Sequence, residues 1–295
     1  MDKKIISVKD LQCQYKHSLF PVLQIKELDL NEGEVVFFVG ASGVGKSTLL
    51  ETLGLMNNTI SHRKDGLFHF LKDSSTDDYY DLKAIWNESE TNLAKFRREY
   101  MSFIFQSTNL FSNLSAFENV LLNQAIEGGK TLELSKSRAE AMIRMLFPIV
   151  KDVEEIVDDS KAISKLSGGQ KQRLAFVRAV LANFSVLFAD EPTGNLDWWN
   201  AKNLIEILLK IVRDRNKLAV IVTHDIDLAI NYGDRIILID KEYRDQNDES
   251  SSFGVLGKEG VFRRTELGWS TFKEEQVNDE ELSSYLRNQM KPRWI

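Results

Sequence analysis

The sequence predicts an α/β fold organised around a mostly parallel sheet, and three observations predict it. Short continuous apolar runs recur at 35–39 (VVFFV), 186–189 (VLFA) and 218–222 (LAVIV), and again in 235–239 (RIILI) after its leading Arg235. Such runs suit strands buried on both faces. Segments with helical spacing separate them, as at 200–213, where Leu204, Ile207, Leu208 and Ile211 share one face. The first apolar run opens directly into glycine-rich GASGVGKSTLL, whose tail has helical periodicity.

The elements follow in order. Residues 3–11 and 22–30 alternate polar and apolar positions and read as two strands, with Asn31–Glu34 as a turn before the buried strand 35–39. Within 57–98 the pattern weakens. Leu67–Leu71 reads as a strand, DSSTDDYYD as a polar surface loop and 90–99 as a helix. Helices are expected over 115–127 and 133–147, and from Leu174 to Ala182. From 241 the character changes: RDQNDESSS has the composition of a solvated linker, and FGVLGKEGVFRR reads as an edge strand or a hairpin. Asn278 followed by Asp279–Glu281 offers an N-cap and an acidic first turn to a helix with Leu282, Tyr285, Leu286 and Met290 on one face.

Bulk properties narrow the function. The 295 residues fit one large domain with appendages, or at most two domains. With 43% apolar and 28% charged residues, the chain is not a disordered one. A net charge of −6 gives no long-range attraction to polyanions, so no nucleic-acid partner is expected. The single cysteine, Cys13, cannot close an internal disulfide and reads as a packing residue in a reducing compartment. No segment approaches the roughly 18 apolar residues of a membrane span. If the protein works at a membrane, another chain must cross it.

Two sets of residues carry chemistry. Gly40-Ala41-Ser42-Gly43-Val44-Gly45-Lys46-Ser47 matches G-x-x-x-x-G-K-[ST], and Thr48 leads on into the helix. Backbone N–H groups can surround a triphosphate only where no side chain intrudes, hence the glycines. The helix presents its positive end to the same phosphates, Lys46 adds a full charge, and the Ser47 hydroxyl can ligate Mg²⁺. ATP and Mg²⁺ are therefore the expected ligands. At the end of strand 186–189, Asp190 is a candidate for holding Mg²⁺ and Glu191 for activating a water. A second anion-seeking helix start follows Leu166 as Ser167-Gly168-Gly169-Gln170. Two such starts, far apart in sequence, are most simply explained if they face one another across a dimer.

The order of these motifs resembles the nucleotide-binding domain of ABC ATPases over 1–240. Gly40–Ser47 resembles the family's Walker A loop, Leu166–Gln170 its LSGGQ signature, and Val186–Glu191 its Walker B strand with the catalytic glutamate. Phe105-Gln106 stands at the Q-loop, Asn195-Leu196-Asp197 at the D-loop, and Val222–Asp225 at the H-loop. Tyr15 is placed to resemble the aromatic residue that stacks on adenine, or it simply packs. FRREYMSFIFQSTNLFSNLSAFENV and FADEPTGNLD resemble the subfamily of lipoprotein-releasing, macrolide-export and cell-division ATPases.

The resemblance implies a P-loop NTPase core, an N-terminal antiparallel β subdomain and an α-helical signature subdomain at about 107–178. It implies catalytic roles for Glu191, His224 and Gln106. It implies nucleotide contacts from Gly40–Thr48 and Tyr15 of one copy and from Ser167, Gly168, Gly169 and Gln170 of the other, with Mg²⁺ near Ser47, Gln106 and Asp190. The implied partners are a second copy and an integral membrane subunit at the Q-loop region, on the inner face of the membrane.

The chain departs from the subfamily in three places. The insertion at 57–98 is long, 158–165 lacks the usual arginine and proline, and 241–295 extends beyond the minimal domain. That extension either finishes the domain as a packed edge and helix or serves as a regulatory or dimer-contact element. Two other functions stand beside transport: driving a membrane protein that activates a periplasmic enzyme, and a soluble role on ribosomes or DNA.

Overall fold

The computed structural model describes residues 3–60, 66–71, 78–126, 132–147, 149–158, 162–194, 196–245 and 251–291. Most of the polar loop expected before Tyr79, the residues 159–161 before the signature, and Asn195 lie outside them, as does most of the stretch 245–250. Two sheets organise the described chain. β1 (Lys4–Cys13), β2 (Leu23–Asn31), β4 (Leu67–Leu71) and β5 (Tyr79–Asp81) belong to one, and β3 (Val35–Val39) to the other. Between them come α1 (Lys46–Leu53), α2 (Leu82–Ile85) and α3 (Glu90–Tyr100).

The second sheet continues with β6 (Met101–Ile104), β7 (Val186–Asp190), β8 (Leu218–Val222) and β9 (Arg235–Leu238). Its core runs β9-β3-β8-β7-β6, with every pair parallel. That is the mostly parallel sheet expected from the apolar runs. VVFFV is buried at all five residues because both faces are covered. Val35, Phe37 and Val39 join the core with the helices of the second half, while Val36 and Phe38 join the core shared with β1, β2 and α1. Each fully buried side chain of this size contributes about 1.5–3 kcal/mol.

Helices α4 (Ala116–Ile126), α5 (Leu132–Leu146), α6 (Val150–Val157) and α7 (Gly168–Leu181) pack on one another beside the sheet and form the expected helical subdomain. The chain then runs through α8 (Trp198–Asp214) and α9 (Ile226–Tyr232). Among the described residues no helix is long and apolar enough to cross a membrane.

After residue 239 the chain is built into both sheets. β10 (Asp240–Tyr243) and β11 (Ser252–Leu256) enter the first sheet, β11 parallel to β2 with Gly254 opposite Leu23. A 3₁₀ turn at Lys258–Gly260 leads to β12 (Val261–Thr265), β13 (Gly268–Ser270) and β14 (Gln276–Val277), which extend the second sheet antiparallel from β9. FGVLGKEGVFRR is therefore neither a lone edge strand nor a hairpin: its halves pair in different sheets. The crossing needs glycine at 260, where a Cβ would lie 2.6 Å from the Leu238 carbonyl oxygen.

The last helix, α10 (Asp279–Gln289), starts on a capping box between Asn278 and Glu281, as its sequence predicts. It buries Leu282 and Leu286, while Tyr285 stays largely exposed. Trp269, fully buried, donates through Nε1 to Asp279 (3.0 Å) and ties this helix to the sheet.

Candidate active site

The C-terminal ends of β3, β7 and β8 point to one place, because the strands are parallel and adjacent. The phosphate loop leaves β3 there. Gly43 and Gly45 take positive φ, +75° and +100°, so the loop can fold its amides inward before α1 begins. Lys46 Nζ donates to the carbonyls of Gly40 (2.9 Å) and Ala41 (3.0 Å). Desolvation pushes the Lys46 pKa down, against the pull of Glu191 and Asp190. Ser47 Oγ donates to Asp190 Oδ2 (3.2 Å) at the end of β7. Desolvation raises the Asp190 pKa, opposed by the Ser47 hydrogen bond.

Glu191 is held from three sides. Its backbone has φ +47°, a left-handed value uncommon outside glycine. Its N–H donates to the Val222 carbonyl (2.9 Å) on β8. Its carboxylate accepts from the Thr223 hydroxyl (3.2 Å) and the His224 N–H (3.0 Å), and His224 Nδ1 lies 2.8 Å from Oε1. The Glu191 side chain is 12% exposed, whereas the His224 ring is 73% exposed. A non-glycine residue strained at a sheet end, with its carboxylate fixed by an adjacent loop, is a signature of a working site.

The family description "ABC transporter" matches residues 23–194. The chain belongs to the ABC transporter family. The lipoprotein-releasing system ATP-binding protein LolD of Desulfotalea psychrophila is 30% identical over 244 residues, covering 82% of this chain and 99% of that one. An uncharacterized ABC transporter ATP-binding protein of Methanocaldococcus jannaschii, MJ0796, is 33% identical over 239 residues, covering 80% and 93%. The macrolide export ATP-binding/permease protein MacB of a Shewanella species is 37% identical over 218 residues, 74% of this chain but only 30% of MacB. Among solved structures, the dimeric post-hydrolysis state of the MJ0796 cassette bound to ADP and Pi superposes with TM-score 0.65 at 30% identity, covering 79% of this chain and 94% of that one. This ABC cassette is thus an ATP-hydrolysing subunit, and its fold class is the one the motifs imply.

The other predicted residues of the ABC cassette fall as follows. Ser167 caps α7: its hydroxyl accepts from the Gln170 N–H (3.2 Å), while Gln170 Oε1 accepts the Ser167 N–H (2.9 Å). Ser167 and Gly168 are exposed, Gly169 is half-buried, and Gln170 also donates to Asp152 (2.8 Å). Gln106 lies exposed just beyond β6, which pairs with the Asp190-bearing β7. Tyr15 is pinned by its hydroxyl, which sits 2.9 Å from Thr48 Oγ1 and within 3.5 Å of Glu51, and desolvation raises its pKa. Cys13 is buried, with its thiol pushed up to about 11 by desolvation, in keeping with a packing role. The Mg²⁺ expectation fits the donor set: Ser47 and Asp190 offer two oxygens 3.2 Å apart at the loop, and hard oxygen ligands are what Mg²⁺ requires.

Four residues outside the motifs shape the site. Gln172, 1% exposed, donates to the carbonyls of Glu191 (3.2 Å) and Pro192 (2.5 Å). Arg173 donates to Asn200 (2.6 Å), which in turn donates to Asp197 (3.0 and 2.5 Å). Arg178 donates to the carbonyls of Thr108 (3.0 Å) and Asn109 (2.9 Å), fixing the turn after Gln106. Gly254 lies against the Val44 carbonyl, where a Cβ would collide, so β11 backs the phosphate loop. A helix reading of the residues after the signature places Gln172, Arg173 and Arg178 on α7, but about 100–140° apart around its axis, so periodicity does not single them out. Nothing in the sequence links Gly254 to Val44, 210 positions away.

Proposed function

We propose that this chain works as a pair of identical copies that sandwich two ATP molecules and drive a separate membrane subunit. The observation that carries this reading is the split placement of the two anion-seeking elements. Lys46, Ser47, Asp190, Glu191 and His224 converge at one set of strand ends, while the exposed start of α7 belongs to the helical subdomain. The dimeric MJ0796 structures support the pairing.

In this reading the γ-phosphate of ATP draws the Lys46 ammonium from its loop carbonyls, and Ser167 and Gly169 of the opposite copy close over it. The Ser167 hydroxyl already accepts one bond as a cap and keeps its hydrogen to donate. Glu191 accepts a proton from the attacking water, with Thr223 and His224 orienting its carboxylate. Mg²⁺, held by Ser47 and Asp190 with Gln106 nearby, would supply neutralising charge at the phosphate oxygens. Tyr15 contributes beside the nucleotide through a ring that its Thr48 bond holds in place, and Asp197 relays between the two sites.

The membrane subunit docks at the Q-loop. A groove of about 290 Å³ there is lined by Met56, Arg97, Phe103, Phe105 and Arg178, and Phe111 stands 51% exposed beyond it. On this reading the chain sits at the inner face of the membrane through that subunit. The relatives named for lipoprotein release and macrolide export suggest a partner of that kind.

The test is Glu191→Gln. Turnover should fall at least about 100-fold while ATP still binds, and size-exclusion chromatography with ATP should show a trapped dimer. Wild-type turnover by this variant would remove Glu191 from the role of base.

A further inference from the structure

We infer that Gln172 is a positioning residue for Glu191, and that it couples each hydrolysis site to the signature helix serving the other. The inference rests on the paired-copy reading above. Three observations meet at this side chain. First, Glu191 holds φ +47°, a conformation that persists only where its surroundings impose it. Its N–H is fixed by Val222 and its carboxylate by Thr223 and His224. The carbonyl side of the same residue is gripped by Gln172 Nε2, at 3.2 Å from Glu191 O and 2.5 Å from Pro192 O. A primary amide has two N–H donors, so one side chain can serve both carbonyls at once.

Second, Gln172 is 1% exposed. Its donors have no water to fall back on, and losing them takes the Pro192 carbonyl's bond away and leaves the Glu191 carbonyl held by the Gly194 N–H (3.2 Å) alone. Third, Gln172 stands on the helix that Ser167 opens. Five residues at about 1.5 Å each put the cap and the grip about 7.5 Å apart along one axis. The capping box stiffens the first turn between them.

The consequence is mechanical. In the paired enzyme, the start of α7 meets the phosphate bound by the opposite copy. Any displacement of that start is carried by the helix to Gln172, and from there to the main chain of the chain's own Glu191. Occupancy of one site thereby adjusts the base of the other. The side chains that hold phosphate in the chain's own site, Lys46 and Ser47, are not on this path.

The test is Gln172→Met, which keeps the length of the side chain and removes its donors. ATPase rates are measured against ATP concentration and against protein concentration, with the thermal midpoint and fluorescent-nucleotide binding as folding controls. The expected result is a kcat at least about tenfold lower, a KM within about twofold of wild type, and a Hill coefficient that falls toward 1. In the Glu191→Gln background, Gln172→Met should still form the ATP-bound dimer, because the sandwich contacts remain. If Gln172→Met fails to fold, Gln172→Asn gives the readout. It keeps the amide but withdraws it by one methylene, and should show the same split between kcat and KM. A folded Gln172→Met or Gln172→Asn enzyme with wild-type kcat and Hill coefficient would overturn the inference. So would a variant whose loss lies entirely in KM. A wild-type rate per chain that does not depend on protein concentration would instead overturn the paired-copy reading beneath it.

Discussion

Asn119 gives the sharpest stability prediction, because one buried side chain holds a whole loop. It is fully buried on α4, yet its amide meets the chain that follows the Q-loop. Oδ1 accepts from the Phe111 N–H (2.7 Å), and Nδ2 donates to the carbonyls of Phe111 (3.0 Å) and Ser115 (2.8 Å), with a longer contact to Leu114 (3.4 Å). Asn119→Leu keeps the branched heavy-atom shape and removes every bond. Three well-formed hydrogen bonds at about 1 kcal/mol each give a loss of about 3 kcal/mol. For a chain of this size, at about 2–3 °C per kcal/mol, the thermal midpoint should fall by about 6–9 °C. The assay is a thermal melt of the nucleotide-free protein followed by circular dichroism. Asn119→Asp should do no better than leucine, since it turns both donors into acceptors facing carbonyls. The loop presents Phe111 outward, so under the proposed docking the same variants should also lose ATPase stimulation by a membrane subunit. A melt within about 1 °C of wild type would show that the loop is held by something other than Asn119, and would refute the reasoning.

Two further outcomes follow from the site. Gly254→Ala drives a methyl group into the Val44 carbonyl, so ATP affinity should drop at least about tenfold although residue 254 lies far outside every nucleotide motif; equilibrium binding of a fluorescent ATP analogue checks this. Lys46 has a pKa pushed below its unfolded value of 10.5 by desolvation, so in the nucleotide-free protein the folded state loses this proton first. Its contribution to stability therefore rises as pH climbs from the depressed folded pKa toward 10.5. Urea midpoints across that window should show the rise in wild type and lose it in Lys46→Met; an identical pH dependence in both would refute it.

Much of the fold and the site was legible in the chain itself. The apolar runs predicted buried parallel strands because a strand covered on both faces cannot alternate. The loop at 40–47 predicted a phosphate site because only small residues let amides converge on charge. Asn278 and Glu281 predicted a helix start because capping is local. What stayed hidden was contact between distant segments. A local pattern could not show that FGVLGKEGVFRR would split between two sheets, because each half is an ordinary strand and only its partner decides where it pairs. Tyr15 has the right residue type and spacing for a ring beside adenine, but its bond to Thr48 depends on how β1 meets α1.

By itself, then, the sequence determined the chemistry present: a phosphate loop, a carboxylate pair at a strand end and a second helix start for anions. Tertiary structure decided how that chemistry is aimed. Parallel pairing of β3, β8 and β7 brings Ser47 to Asp190 and His224 to Glu191 from positions 143 and 33 residues apart. It also left Glu191 in a left-handed turn gripped by Gln172, and backed the phosphate loop with Gly254. Hydrogen-bond reach is a few ångströms, and only the folded chain sets which groups fall within it.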